Sequence, residues 1–203
     1  MQRTVTGWVT EDGSPVELTG DHITMTEYED GSAEFKFSAE TTGRRCGGCQ
    51  LCCRLVPVAS LNKPAGEKCR HAKVGHGCTI YRFRPHDCRT WACRWLAQSA
   101  ETAGLRRPDR SHYVIDLTYD TVHMLKPDGE KLPVSVLQVW VDPAFPDAHR
   151  DPALRRYLAN MGARYRVAAL VRYGASKGFV LYPPAMCADG QWHEQVPKEA
   201  GDV

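Results

Sequence analysis

Eight of the nine cysteines fall between residues 46 and 93: Cys46, Cys49, Cys52, Cys53, Cys69, Cys78, Cys88 and Cys93. The ninth, Cys187, stands alone near the C-terminus. Two arrangements concentrate thiols in this way, a disulfide framework and a metal site. Disulfide frameworks belong to oxidising compartments and to domains too small to build a core. With 203 residues and 42% hydrophobic side chains, this chain has material for a substantial core. Its first residues, Met1 to Thr6, lack the apolar stretch of a secretory leader. The expectation is therefore a protein of the reducing cytoplasm. Thiolates crowded there repel one another, and a bound cation relieves the repulsion by taking them as ligands.

The spacing supports the same chemistry. Cys46-Gly47-Gly48-Cys49-Gln50-Leu51-Cys52-Cys53 is a C-x2-C-x2-C-C run. A C-x2-C pair brings two sulfurs to one ion from a tight turn, and C-x2-C-x2-C is a spacing of iron–sulfur proteins. Adjacent Cys52 and Cys53 point in different directions, so they cannot serve one ion in the same way. Cys69, Cys78, Cys88 and Cys93 follow as single residues, which suits zinc equally well. Zinc and iron, as a mononuclear ion or a cluster, both stay open on spacing alone.

The segment C-x2-C-x2-C-C, then Cys69, then Cys78-Thr79-Ile80-Tyr81-Arg82-Phe83-Arg84-Pro85-His86-Asp87-Cys88-Arg89 resembles the CxxCxxCC (YkgJ-type) cysteine-cluster family. The resemblance covers residues 44–95. It implies a zinc- or iron-chelating domain. Alternatives are an iron–sulfur protein that transfers electrons or assists a protein-modifying enzyme, and a structural zinc domain that presents an interaction surface. Arg84 and Arg89, within the matched stretch, are expected beside the ligands, donating hydrogen bonds to sulfur, and His86 likewise. His71 and His76 are read as neighbours or surface residues, because eight thiols already supply the ligands.

Around this region the pattern is α+β, with antiparallel sheet elements flanking a loop-rich, cysteine-clustered core that has short helices. Residues 1–42 read as a small antiparallel sheet, with strands at 4–10, 15–18, 22–29 and 33–37 separated by turns at 11–14, 19–21 and 30–32, two of them with an Asp-Gly pair. Residues 43–98 form the cysteine region, broken by Gly and Pro. One helix is expected in the 49–55 stretch and another at 89–100, where Trp91, Trp95 and Leu96 share a face. Residues 99–187 return to an α+β pattern, expected to pack on the same core. Its strands are predicted at 113–117, 121–125, 134–141, 165–173 and 178–182, with Lys126-Pro127-Asp128-Gly129 as a turn. A helix is predicted at 151–164: Asp151 caps it, Pro152 fits its first turn, and Leu154, Tyr157, Leu158 and Met161 form a stripe. The tail, 188–203, rich in charge, Gly and Pro, is expected to fray.

Other chemistry is sparse. The sequence holds no G-x-S-x-G, H-E-x-x-H, P-loop or G-x-G-x-x-G. Asp116, Asp120, His123 and Asp128 fit a half-exposed sheet better than a catalytic set. These absences speak against an autonomous enzyme. The implied partner is a metal ion, with room for a protein partner; no run is long enough to span a bilayer. A formal net charge of +2 gives no support to nucleic acid.

Overall fold

A computed structural model describes residues 23–27, 33–37, 44–96, 102–125 and 131–196. The strands expected at 4–10 and 15–18 and the turn at 126–129 lie outside these residues. The fold is α+β. Strands β1 (Ile23–Glu27) and β2 (Ala33–Phe37) pair antiparallel. The cysteine region contains helix α1 (Leu51–Leu55), the two-residue strands β3 (Ala72–Lys73) and β4 (Gly77–Cys78), and helix α2 (His86–Thr90). Helix α3 (Pro108–Ser111) then leads into a five-stranded sheet. Its strands β5 (Tyr113–Leu125), β6 (Lys131–Val141), β7 (Ala168–Arg172), β8 (Gly178–Tyr182) and β9 (His193–Gln195) lie in sequence order. Every pairing in this sheet is antiparallel except β6 with β7, which run parallel across the crossover helix α4 (Pro152–Tyr165).

Strand alternation decides what lies on each face of this sheet. Tyr113, Ile115, Leu137, Val139, Val171 and Leu181 pack with Leu154, Tyr157, Leu158 and Met161 of α4 in one buried cluster. Val114 and Trp140, paired across β5 and β6, belong to a second cluster with Leu51 and Leu55 of α1 and with Cys93. The sheet is thus the floor on which the cysteine region rests. Burying a Leu side chain fully contributes about 1.5–3 kcal/mol, so Leu51 and Leu55 anchor α1 far more firmly than five residues of helix propensity would.

Helix α4 begins as its sequence dictates. The Asp151 carboxylate accepts the Ala153 amide at 2.7 Å, Pro152 occupies the first turn, and the Arg106 guanidinium also bonds Asp151. Burial alone would raise the Asp151 pKa, but the Arg106 hydrogen bond and the Ala153 amide outweigh it and hold the carboxyl below its ordinary value. A lowered carboxyl pKa contributes stability that is complete above the unfolded-state value and is lost as pH falls through the folded one. Asp151→Ala should therefore cost about 1–2 kcal/mol at pH 7. In thermal melts, the gap between variant and parent should close as pH falls below about 4. A gap that persists under those conditions would remove the charged cap from the account.

Four expectations need correction. Of the helix expected at 89–100, residues 91–96 are not helical, and residues 97–100 lie outside the described set. The helix lies earlier, at His86–Thr90, and Trp91 is extended (φ −103°, ψ 138°). Beyond it Cys93 bridges Asp116 of β5, and the Arg94 amide donates to the Ile115 carbonyl at 2.8 Å, so sheet pairing takes the amides a helix would need. The segments 113–117 and 121–125 form one strand whose pairing shifts register between Ile115 and Tyr119. The strand predicted from 165 starts at Ala168, because α4 runs to Tyr165 and Arg166 ends it in the left-handed region. The tail is ordered as far as β9, where His193, Glu194 and Gln195 pair with β8; residues 197–203 lie outside the described set. Among the described residues, no helix is long and apolar enough to cross a membrane.

Candidate metal centre

The first thiols sit in a loop whose tight geometry comes from glycine. The Cys49 amide donates to the Cys46 carbonyl at 2.8 Å, and Gly47 between them has φ 50°. The chain then enters α1, which carries Cys52 and Cys53 on successive positions. Gln50, buried at the start of α1, donates its side-chain amide to the Lys73 carbonyl and ties this loop to β3. The Cys69 amide donates to the Cys53 carbonyl at 2.8 Å, bringing a second loop against α1. Cys88 lies in α2, whose Asp87 carboxylate accepts the Ser60 amide at 2.9 Å. Cys93 arrives from the sheet side, buried, on its bridge to Asp116.

All nine cysteines are free. Neighbouring thiols act on one another's ionisation across this region. Burial and the Cys49 charge raise the Cys46 pKa, and burial raises that of Cys49. Burial with the neighbouring Cys53 and Cys69 charges pushes Cys88 up to about 11. Burial pushes Cys93 up to about 12, with Cys46 and Cys49 adding to it. Cys52 donates its thiol to Cys53 and is raised, by that hydrogen bond first and then by burial. Cys53, the acceptor, is lowered to about 7 by the same bond and by the charges of Lys63 and Arg84, against the effect of burial. Each of Cys46, Cys49, Cys52, Cys53, Cys69, Cys88 and Cys93 thus lies within electrostatic reach of at least one other of these thiols. Cys78 lies in β4 opposite Ala72, and no perturbed thiol takes its main perturbation from it. Among the described residues, no three His, Cys, Asp or Glu side chains converge on one point as in a formed metal-ion site.

Cations surround the thiols. The Arg84 guanidinium acts on Cys46, Cys53 and Cys88, and is fixed by its bond to the Tyr81 carbonyl (3.0 Å) and by the Tyr81 ring beneath it (3.9 Å). Arg89 is exposed in the last turn of α2, and exposed His86 opens that helix. His71 accepts from the Arg70 guanidinium at 3.3 Å.

Three further groups were not singled out by spacing. Lys63 is buried, donates to the Val56 and Pro64 carbonyls, and acts on Cys53. Arg107 and Asp109 form a two-pronged ion pair (2.6 Å and 2.6 Å) beside Cys49. The only signal for the pair was the Arg107-Pro108-Asp109 helix start, more than fifty residues from the thiols it serves. The polar residues of the sheet have structural partners: Asp116 accepts the Trp91 indole N–H at 2.8 Å, and Asp120 accepts the Gln138 amide at 2.9 Å. No family model, curated protein or solved structure matches this chain.

Proposed function

We propose that this chain is a metal-binding protein that holds zinc or iron through thiolates drawn from Cys46, Cys49, Cys52, Cys53, Cys69, Cys88 and Cys93. One observation carries the reading: thiols from separate segments lie close enough that neighbouring thiolate charge opposes ionisation at Cys46, Cys52, Cys88 and Cys93, while Lys63, Arg84 and Arg107 act on the same group. Burial and neighbouring thiolate charge disfavour the thiolate at Cys46, Cys52, Cys88 and Cys93, and burial disfavours it at Cys49. A bound cation reverses that balance, since a coordinating thiol gives up its proton. The donor set is soft and sulfur-rich, as zinc and iron–sulfur centres require. When bound, zinc would stabilise the loops that carry its ligands, and an iron–sulfur cluster would add redox capacity. Kinship with the CxxCxxCC family is part of the same proposal and rests on the residues that carry the resemblance.

The test is metal content by mass spectrometry, with a visible spectrum, on protein purified without oxygen and without added metal. Several irons per chain with broad absorption near roughly 400 nm would identify a cluster protein. One or two zincs in colourless protein would identify a structural or zinc-handling domain. A metal-free, fully folded protein would end the proposal.

A further inference from the structure

A cavity of about 370 Å³ opens between the cysteine region and the sheet. Gly48 and Arg54 line it from the thiol-bearing loop and α1, and Lys68 from the second loop; His112, Asp142 and Phe145 line it from the sheet side. Its size is that of a small-molecule site. None of these residues is a thiol, although Gly48 and Lys68 adjoin Cys49 and Cys69 along the chain.

The charged groups on the wall balance in number, Arg54 and Lys68 against Asp109 and Asp142, but not in pairing, because Asp109 is held by Arg107 from outside the lining. The Asp142 carboxylate, with its side chain only 3% exposed, is bonded by Arg54 at 3.3 Å and by the Ala144 amide at 3.1 Å. Asp109, also at the wall, is taken by Arg107. Among the described residues, no carboxylate pairs with exposed Lys68. Residues 44–96 carry eleven lysines and arginines against Glu67 and Asp87, so ionising all seven clustered thiols would still leave cations in excess. The uncompensated charge at the cavity is one positive, with two carboxylates close by. That balance suits a monoanion and disfavours a doubly charged phosphate.

The cavity also has an aromatic wall. The His112 and Phe145 rings stack with centroids 3.6 Å apart and planes 13° apart, and Phe145 is 47% exposed. His112 ends α3 in the left-handed region (φ 63°), donating its amide to the Pro108 carbonyl. Glycine fills such helix ends at lower cost. Here a residue in a strained conformation supplies a ring at the cavity, which is where functional strain is found.

We propose that this cavity binds a small aromatic carboxylate, its ring against the Phe145–His112 wall and its carboxylate at Lys68. Ligand-observed NMR titrations on the protein as purified, under reducing conditions, test this with benzoate, benzamide and acetate. Benzoate should bind saturably, and benzamide and acetate at least about tenfold more weakly. Lys68→Ala should weaken benzoate about tenfold and leave benzamide unchanged, and Phe145→Ala should weaken both. His112→Gly should keep or raise the thermal midpoint while weakening benzoate, a combination that a purely structural histidine would not give. N-acetylphenylalanine presents the same ring and carboxylate as a peptide end; tighter binding than benzoate would mark a chain terminus as the source, weaker binding a free acid. Equal binding of benzoate and benzamide, or benzoate affinity unchanged in Lys68→Ala, would overturn the assignment.

Discussion

Replacing Cys49 or Cys88 by serine is expected to lower the metal bound per chain by at least about half in each case. A serine hydroxyl stays protonated at neutral pH and is a hard, weak donor, whereas zinc and iron–sulfur centres are held by soft thiolates. The two residues approach from different sides: Cys49 closes the glycine turn beside the Arg107–Asp109 pair, and Cys88 sits in α2 against Cys53 and Cys69. A loss from both would place both residues among the ligands. Cys187→Ser should leave the stoichiometry unchanged, because that thiol lies against the Tyr182 and Pro183 carbonyls instead. Cys78→Ser is the informative fourth variant, expected to lose less than either, since Cys78 lies on the hairpin. Full metal content in both Cys49→Ser and Cys88→Ser would remove these residues from the site.

Gly77→Ala is the second large effect, and it acts through backbone alone. Gly77 has φ 82°, where an L side chain is strained, and an added Cβ would lie 2.6 Å from the Gly47 carbonyl oxygen. The left-handed conformation costs alanine about 1–2 kcal/mol before the collision is counted. The turn it meets is the one between Cys46 and Cys49, so relief requires the β3–β4 hairpin to withdraw from that loop. Metal binding should fall markedly while the five-stranded sheet, built from residues 113–195, keeps its far-ultraviolet circular dichroism. Binding indistinguishable from the parent would show that the hairpin does not set the loop's shape.

What could be read from the sequence was what depends on neighbours along the chain. The helix at Asp151 announced itself by a cap, a proline in its first turn and a stripe at helical period, all within one segment. The strands at Ala33–Phe37 and Gly178–Tyr182 and the helix at Leu51–Leu55 were legible for the same reason. The failures came where partners far along the chain decide. Trp91, Trp95 and Leu96 have helical spacing, yet Trp91 bonds Asp116 and Trp95 packs against both buried clusters. The bulge that lets β5 run unbroken is a property of its pairing with β6, and no residue of β5 encodes it alone. Strand β9 has three exposed residues and no apolar alternation, so its backbone pairing with β8 left no pattern to read. At the site, thiol grouping was visible because cysteine is scarce elsewhere; Lys63, Arg107 and Asp109 were not, because their role arises only when loops meet.

The bridge between Cys93 and Asp116 has a consequence for the order in which the molecule assembles. Cys93 is held by strand pairing to the first strand of the sheet, whereas Cys46, Cys49, Cys69 and Cys88 ride on loops and a five-residue helix. Every pairing of the sheet joins strands consecutive along the chain and needs none of those loops. Once it has formed, one thiol is already in place and the others have a fixed point to search against. If the proposed centre forms, it would then be organised by the scaffold, and an ion would have only the loops left to close around it.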